Sequence, residues 1–199
     1  MRVSLPLLKW KLVRALTTLL PARFKIQTND RYILEGVIFR DLCIRARYRK
    51  ILFAGCERYT RWYPWIFEAF PGIRFETMEA DPRNRRYGSR KHHRVGRVED
   101  LKGDASRRNF YDLIILNGLF GYGTDTEQGI RAVLEAAEQA LQVGGTLLIG
   151  FNDLGGPAHF QPEWVPEERF QKTPIPGMQE SDFLAEGSHR HRFVCYVKR

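Results

Sequence analysis

From residue 50 onward, short apolar runs alternate with longer stretches of helical periodicity, and this alternation constrains the fold of the 199-residue chain more than anything else in it. The runs lie at residues 51–55, 73–79, 93–98, 111–117, 146–151 and 193–197. Residues 113–116 and 147–149 are apolar without a break, as strands covered on both faces are. Strands of that kind interleaved with helices predict an α/β domain built on a mostly parallel sheet.

One of the intervening helices is well marked. Thr124-Asp125-Thr126-Glu127 reads as a capping box with Thr124 at the N-cap. Ile130, Val133, Leu134, Ala137 and Leu141 follow as a buried stripe, and Gly144-Gly145 stops the helix. A second helix is expected from Thr60 to before Pro71, with Trp62, Trp65, Ile66 and Phe70 among its apolar residues. Residues 154–182 carry five prolines and read as a long loop that would serve as a lid. At the other end, Leu5, Leu8, Leu12, Leu16 and Leu19 step by threes and fours, and Pro21 closes the segment. That stripe fits a helix capping the domain. With Lys9, Lys11 and Arg14 mostly off it, the segment also fits a helix lying on a membrane surface.

Composition narrows the partners. The net charge of +9 favours phosphates, nucleic acid, anionic lipid or anionic glycan without choosing among them. Cys43, Cys56 and Cys195 are far apart and odd in number, so neither a zinc site nor a disulfide framework is indicated, and a reducing, cytoplasmic setting is expected. No apolar run approaches the ~20 residues of a spanning helix. Arg83, Arg85, Arg86, Arg90, Lys91, His92, His93, Arg94 and Arg97 form the densest charge and could meet phosphate or sulfate; Tyr59, Trp62, Tyr63 and Trp65 read as a stacking platform or as core.

Two motifs point to a ligand. The first run ends in Gly55-Cys56-Glu57, a glycine turn where an open parallel sheet binds ligands beyond its strands' carboxyl ends. The second ends in Glu79-Ala80-Asp81-Pro82, an acid about two dozen residues later that can accept hydrogen bonds from both hydroxyls of a ribose.

These motifs, followed by Val98-Glu99-Asp100-Leu101, by Tyr111-Asp112-Leu113-Ile114-Ile115 and by Leu141-Gln142-Val143-Gly144-Gly145-Thr146-Leu147-Leu148-Ile149, resemble the series of the class I S-adenosylmethionine-dependent methyltransferases. The resemblance covers roughly residues 50–152 and the last strand. It implies a Rossmann-like three-layer sandwich with a seven-stranded, mostly parallel sheet, an antiparallel last strand and an N-terminal helical extension. Residues 1–48 would be the amphipathic helix and cap, and residues 49–199 the methyltransferase-like domain. It implies S-adenosylmethionine as cofactor, with Gly55, Cys56 and Glu57 at the methionine end, Glu79 and Ala80 at the ribose, Val98 and Glu99 flanking the adenine, and Asn117 beside the transferred methyl. Asp153, His159 and Tyr122 are the candidate acid–base residues, and no metal is implied. A small or carbohydrate-like acceptor, neutral or anionic, is the expected partner.

Four positions depart from the family. Phe53 stands where an acid is usual, Glu57 where a second glycine is usual, Tyr59 where a third often sits, and Arg97 where an acid precedes the adenine segment. A side chain at 57 would crowd and repel the methionine carboxylate. The departures leave two further readings open: a catalytically inactive methyltransferase-like scaffold, and a basic module binding nucleic acid or a membrane surface.

Overall fold

The structure, a computed structural model, describes residues 4–18, 29–45, 47–154, 160–187 and 190–199. Its centre is one sheet of β1 (Lys50–Ala54), β2 (Arg74–Glu79), β3 (His93–Val95), β4 (Tyr111–Asn117), β5 (Leu141–Asn152), β6 (Phe170–Lys172), β7 (Asp182–Leu184) and β8 (His191–Lys198). The strand order is β3-β2-β1-β4-β5-β8-β6, with β7 also paired to β8. Strands β1 to β5 run parallel, β8 runs antiparallel to β5, and β6 and β7 run antiparallel to β8. The expected Rossmann-like sandwich is present. Eight strands replace the expected seven because two three-residue strands, β6 and β7, each pair with part of β8.

That edge changes the reading of residues 154–182. In the described part, Phe160, Val165, Phe170 and Ile175 are buried, so the segment builds the sheet edge and core instead of a lid. Its prolines interrupt helix formation but leave apolar residues to pack between them.

The sheet alternates cleanly between two cores. Leu52, Ala54, Leu116 and Ile149 face α5 (Glu127–Ala140). Ile51, Phe53, Ile115 and Leu148 face the opposite layer, built from a π-helical turn at Tyr32–Ile38, α3 (Phe39–Arg45) and α4 (Tyr63–Glu68). The period of two along each strand sends neighbours to opposite faces. Helix α5 buries the expected Ile130, Val133, Leu134 and Ala137. Its N-cap, however, is Thr126 rather than Thr124: the Thr126 hydroxyl accepts from the Gly129 amide at 3.1 Å, while Glu127 pairs with Arg131. Nor do Gly144 and Gly145 end the helix. It stops at Ala140, and the glycines lie inside β5, where the register against β4 shifts and Gly144 takes φ +75°. The helix expected from Thr60 is a 3-10 turn, Arg58–Trp62, leading into α4.

At the N-terminus, α1 (Leu5–Thr18) docks through Trp10 and Val13, both buried. The leucine stripe does not face the domain: Leu5, Leu8 and Leu12 are 77%, 58% and 61% exposed. Leu19 and the Leu16 side chain lie outside the described residues. Trp10 and Val13 win the inward face because that orientation buries the largest side chain on the helix and lets Arg14 reach Glu35 at 3.2 Å. Among the described residues, no helix is long and apolar enough to cross a membrane.

Candidate active site

A cavity of about 550 Å³ opens at the carboxyl ends of β1, β2, β4 and β5, within the range of small-molecule sites. Strands β1, β2, β4, β5 and β8 each deliver a side chain or a turn to it.

The β1 turn forms the floor. Gly55 holds φ +96°, and its amide donates to the Met78 carbonyl at 3.1 Å. A Cβ there would lie 2.9 Å from the Asn117 carbonyl oxygen, so only glycine passes between the two strand ends. The Cys56 side chain turns inward and is fully buried, and burial with the nearby Glu79 charge pushes its thiol up to about 12. It is therefore a neutral packing group at physiological pH. Glu57 lines the cavity; its carboxylate accepts from the Asn84 side-chain amide at 3.3 Å, and its backbone is tied to the Thr60 hydroxyl.

Glu79 is the most constrained acid at this edge. One carboxylate oxygen accepts from the Cys56 amide at 2.8 Å and the other from the Asp81 amide at 2.9 Å. Each oxygen keeps a further lone pair. Ala80, Gly96, Arg97, Val98 and Glu99 continue the wall beyond it.

The opposite wall is a polar chain. The Asn152 amide nitrogen donates to the Tyr122 hydroxyl at 2.8 Å, and its oxygen lies 2.8 Å from His191 Nδ1. His191 Nε2 lies 3.2 Å from the oxygen of the buried Asn117 amide. With Asn152's nitrogen committed to Tyr122, its oxygen accepts from His191 Nδ1–H, which fixes that nitrogen's proton. Gly150 is needed here too, since any side chain would overlap the Asn117 amide.

The third wall comes from the N-terminal segment. Asp30 and Arg31 line the cavity from the short helix α2 (Asn29–Arg31). The Arg31 guanidinium stacks 3.6 Å from the Tyr59 ring centroid, donates to the Tyr63 hydroxyl at 3.2 Å and lies 3.6 Å from Asp30. Tyr63 in turn hydrogen-bonds Glu35, whose carboxyl burial pushes up against the pull of Tyr63 and Arg14.

The cavity thus brings together Gly55, Glu57, Glu79, Ala80, Val98, Glu99, Asn117 and Tyr122 from the residues expected on sequence. Cys56 sits beneath the floor. Asp153 is held by Arg192 at 3.4 Å and Arg190 at 4.0 Å, away from the cavity lining. His159 lies outside the described residues. Sequence reasoning passed over Arg31, Asn152 and His191. The signal for the last was present: an antiparallel final strand starts at the edge where parallel strands end, and His191 is paired with Asn152. Within the arginine-rich stretch, Arg97 lines the cavity. Arg83 pairs with Asp81 and Arg94 with Asp104, both 2.7 Å apart, and Arg86 rests near the Tyr87 ring. Of the aromatic platform, Tyr63 is core and Tyr59 carries Arg31. Among the described residues, no group of three or more His, Cys, Asp or Glu could hold a metal ion.

No protein-family model and no curated protein sequence matches the chain. Solved structures do. The N-methyltransferase NodS from Bradyrhizobium japonicum, in complex with S-adenosylhomocysteine, superposes with a TM-score of 0.64 at 14% identity, covering 96% of this chain and 98% of that one. A TehB-like S-adenosylmethionine-dependent methyltransferase from Corynebacterium glutamicum gives 0.59 at 17% identity, covering 98% and 100%. An O-methyltransferase family protein from Burkholderia thailandensis gives 0.52 at 13% identity, covering 97% and 58%. The chain has the fold of the class I S-adenosylmethionine-dependent methyltransferases.

Proposed function

We propose that the chain is an S-adenosylmethionine-dependent methyltransferase acting on a small-molecule acceptor. The observation that carries the reading is Glu79: a carboxylate clamped by two backbone amides, at the mouth of a glycine turn too tight for a Cβ, matches what a vicinal ribose diol requires. The bound cofactor would supply an activated methyl on a sulfonium. The protein's task is then to align an acceptor and exclude water.

The residues divide that task. Glu79 accepts from the ribose hydroxyls, and Val98 offers an apolar face to the base. Arg31 supplies the positive charge for the methionine carboxylate. Asn117, His191, Asn152 and Tyr122 form the acceptor side, where their polar groups would orient a hydroxyl or amine. The neighbours include both N- and O-methyltransferases, so the acceptor atom is left open.

Calorimetric titration with S-adenosylmethionine and S-adenosylhomocysteine tests the reading. Micromolar binding is expected. Absence of binding at millimolar concentration would sink it and leave a scaffold. An Arg31→Met variant separates the two ends of the cavity. It should bind S-adenosylhomocysteine about tenfold or more weakly, the value of one charge-assisted hydrogen bond. Its affinity for 5′-methylthioadenosine, which has no carboxylate, should not change. An equal loss for both ligands would mean that Arg31 only supports the wall.

A further inference from the structure

The face of α1 turned away from the domain lies apart from the cavity lining. Leu5, Leu8 and Leu12 stand exposed at spacings of three and four, on one side of a helix whose other side is anchored by Trp10, Val13 and the Arg14–Glu35 pair. Large exposed apolar side chains grouped on one face mark a contact site. Lys11 flanks the stripe on one side; Lys9 lies at its other margin, its ammonium 5.6 Å from the Phe70 ring centroid, and α1 carries no acid. Along the sequence no Asp or Glu precedes Asp30, while Arg2, Lys9, Lys11, Arg14, Arg23 and Lys25 do.

We propose that α1 docks the protein on an anionic bilayer surface, laying Leu5, Leu8 and Leu12 into the boundary between headgroups and acyl chains, with Lys11 at the phosphates and Lys9 leaving Phe70 to join it. Two physical arguments select a bilayer over a protein. The stripe runs only about 10 Å along the helix axis, and three leucines fall well short of the roughly 800 Å² per partner that a stable protein interface takes. A second copy would set lysine against lysine with no acid on either helix to pair them. A bilayer asks for neither large area nor shape. It takes a shallow apolar strip with cations at its margins, and lysine stems can lie along the strip while their ammonium groups reach the headgroups. This inference does not depend on cofactor binding.

The test is flotation of the full chain with vesicles of phosphatidylcholine alone and of equimolar phosphatidylcholine and phosphatidylglycerol. Binding to the anionic vesicles should exceed binding to the neutral ones by about tenfold or more and should fall as salt rises. An L5S/L8S/L12S variant should lose about tenfold or more of the anionic-vesicle affinity while keeping wild-type circular dichroism and S-adenosylhomocysteine affinity. A K9Q/K11Q variant should lose the preference for anionic vesicles. The proposal is overturned if the wild type ignores vesicles, if the leucine variant binds them as well as the wild type, or if light scattering shows a wild-type dimer that the leucine variant turns into monomer.

Discussion

A Glu79→Ala variant should bind S-adenosylmethionine and S-adenosylhomocysteine between about 10-fold and 100-fold more weakly than the wild type, because hydrogen bonds to a charged group contribute about 1.5–3 kcal/mol each. Glu79→Gln should fall between the two, since its amide keeps one accepting oxygen and presents a donor where the other stood. Calorimetry on folded variants reads both. The same substitution removes the partner of the Cys56 and Asp81 amides, so the control is thermal stability: a modest fall in Tm leaves the affinity interpretable. Unchanged affinity in a folded Glu79→Ala protein would place the ribose elsewhere and withdraw the site assignment with it.

The second large effect concerns the position where the resemblance breaks. Putting an acid at residue 53, as the family pattern has it, should not improve cofactor binding; it should unfold the protein. Phe53 is fully buried. Its ring centroid lies 5.3 Å from that of Tyr63, 6.2 Å from Phe75 and 6.5 Å from Phe39, in the core beneath the sheet. Truncation to alanine alone is expected to cost about 3–5 kcal/mol, or a fall in Tm of roughly 6–20 °C for a chain of this size. Phe53→Glu adds an unpaired buried charge and should cost more, against a total stability of only about 5–15 kcal/mol. Thermal melts of the two variants decide it. A Phe53→Glu protein that melts like the wild type would show that the side chain faces the cavity.

Residue 53 also shows where the sequence was legible and where it was not. The continuous apolar runs of β4 and β5 identified the buried parallel strands, because only burial on both faces permits them. Gly55 and Glu79 were legible because backbone geometry restricts them: one occupies a left-handed turn, the other closes a pair of amide donors. The departures were visible as letters but not as directions. Phe53 and Glu57 stand at neighbouring places in the motif, yet Phe53 belongs to the opposite core while Glu57 lines the cavity and reaches Asn84. Strand period and local hydrogen bonding decide such orientations, and no spacing rule reports the second. The leucine stripe of α1 misled for a related reason. Periodicity identifies a face but not what covers it, and a helix with Trp10 and Val13 on a second face has two candidates for burial. Arg31 was hidden because it reaches the cavity from a segment distant in sequence, and His191 because its value depends on the reversed direction of β8.

The side chains from Arg14 through Glu35 and Tyr63 to Arg31 run unbroken from the inner face of α1 to the cavity wall. A ligand that engages Arg31 and a surface that engages α1 would therefore pull on opposite ends of one chain of contacts. Any coupling between them is bound by reciprocity: the factor by which vesicles change S-adenosylhomocysteine affinity must equal the factor by which S-adenosylhomocysteine changes vesicle affinity. Titrations in both directions should agree, and Tyr63→Phe, which cuts the chain at its middle, should bring both factors toward one. The place where the protein sits and the ligand it holds would then be two readings of a single equilibrium.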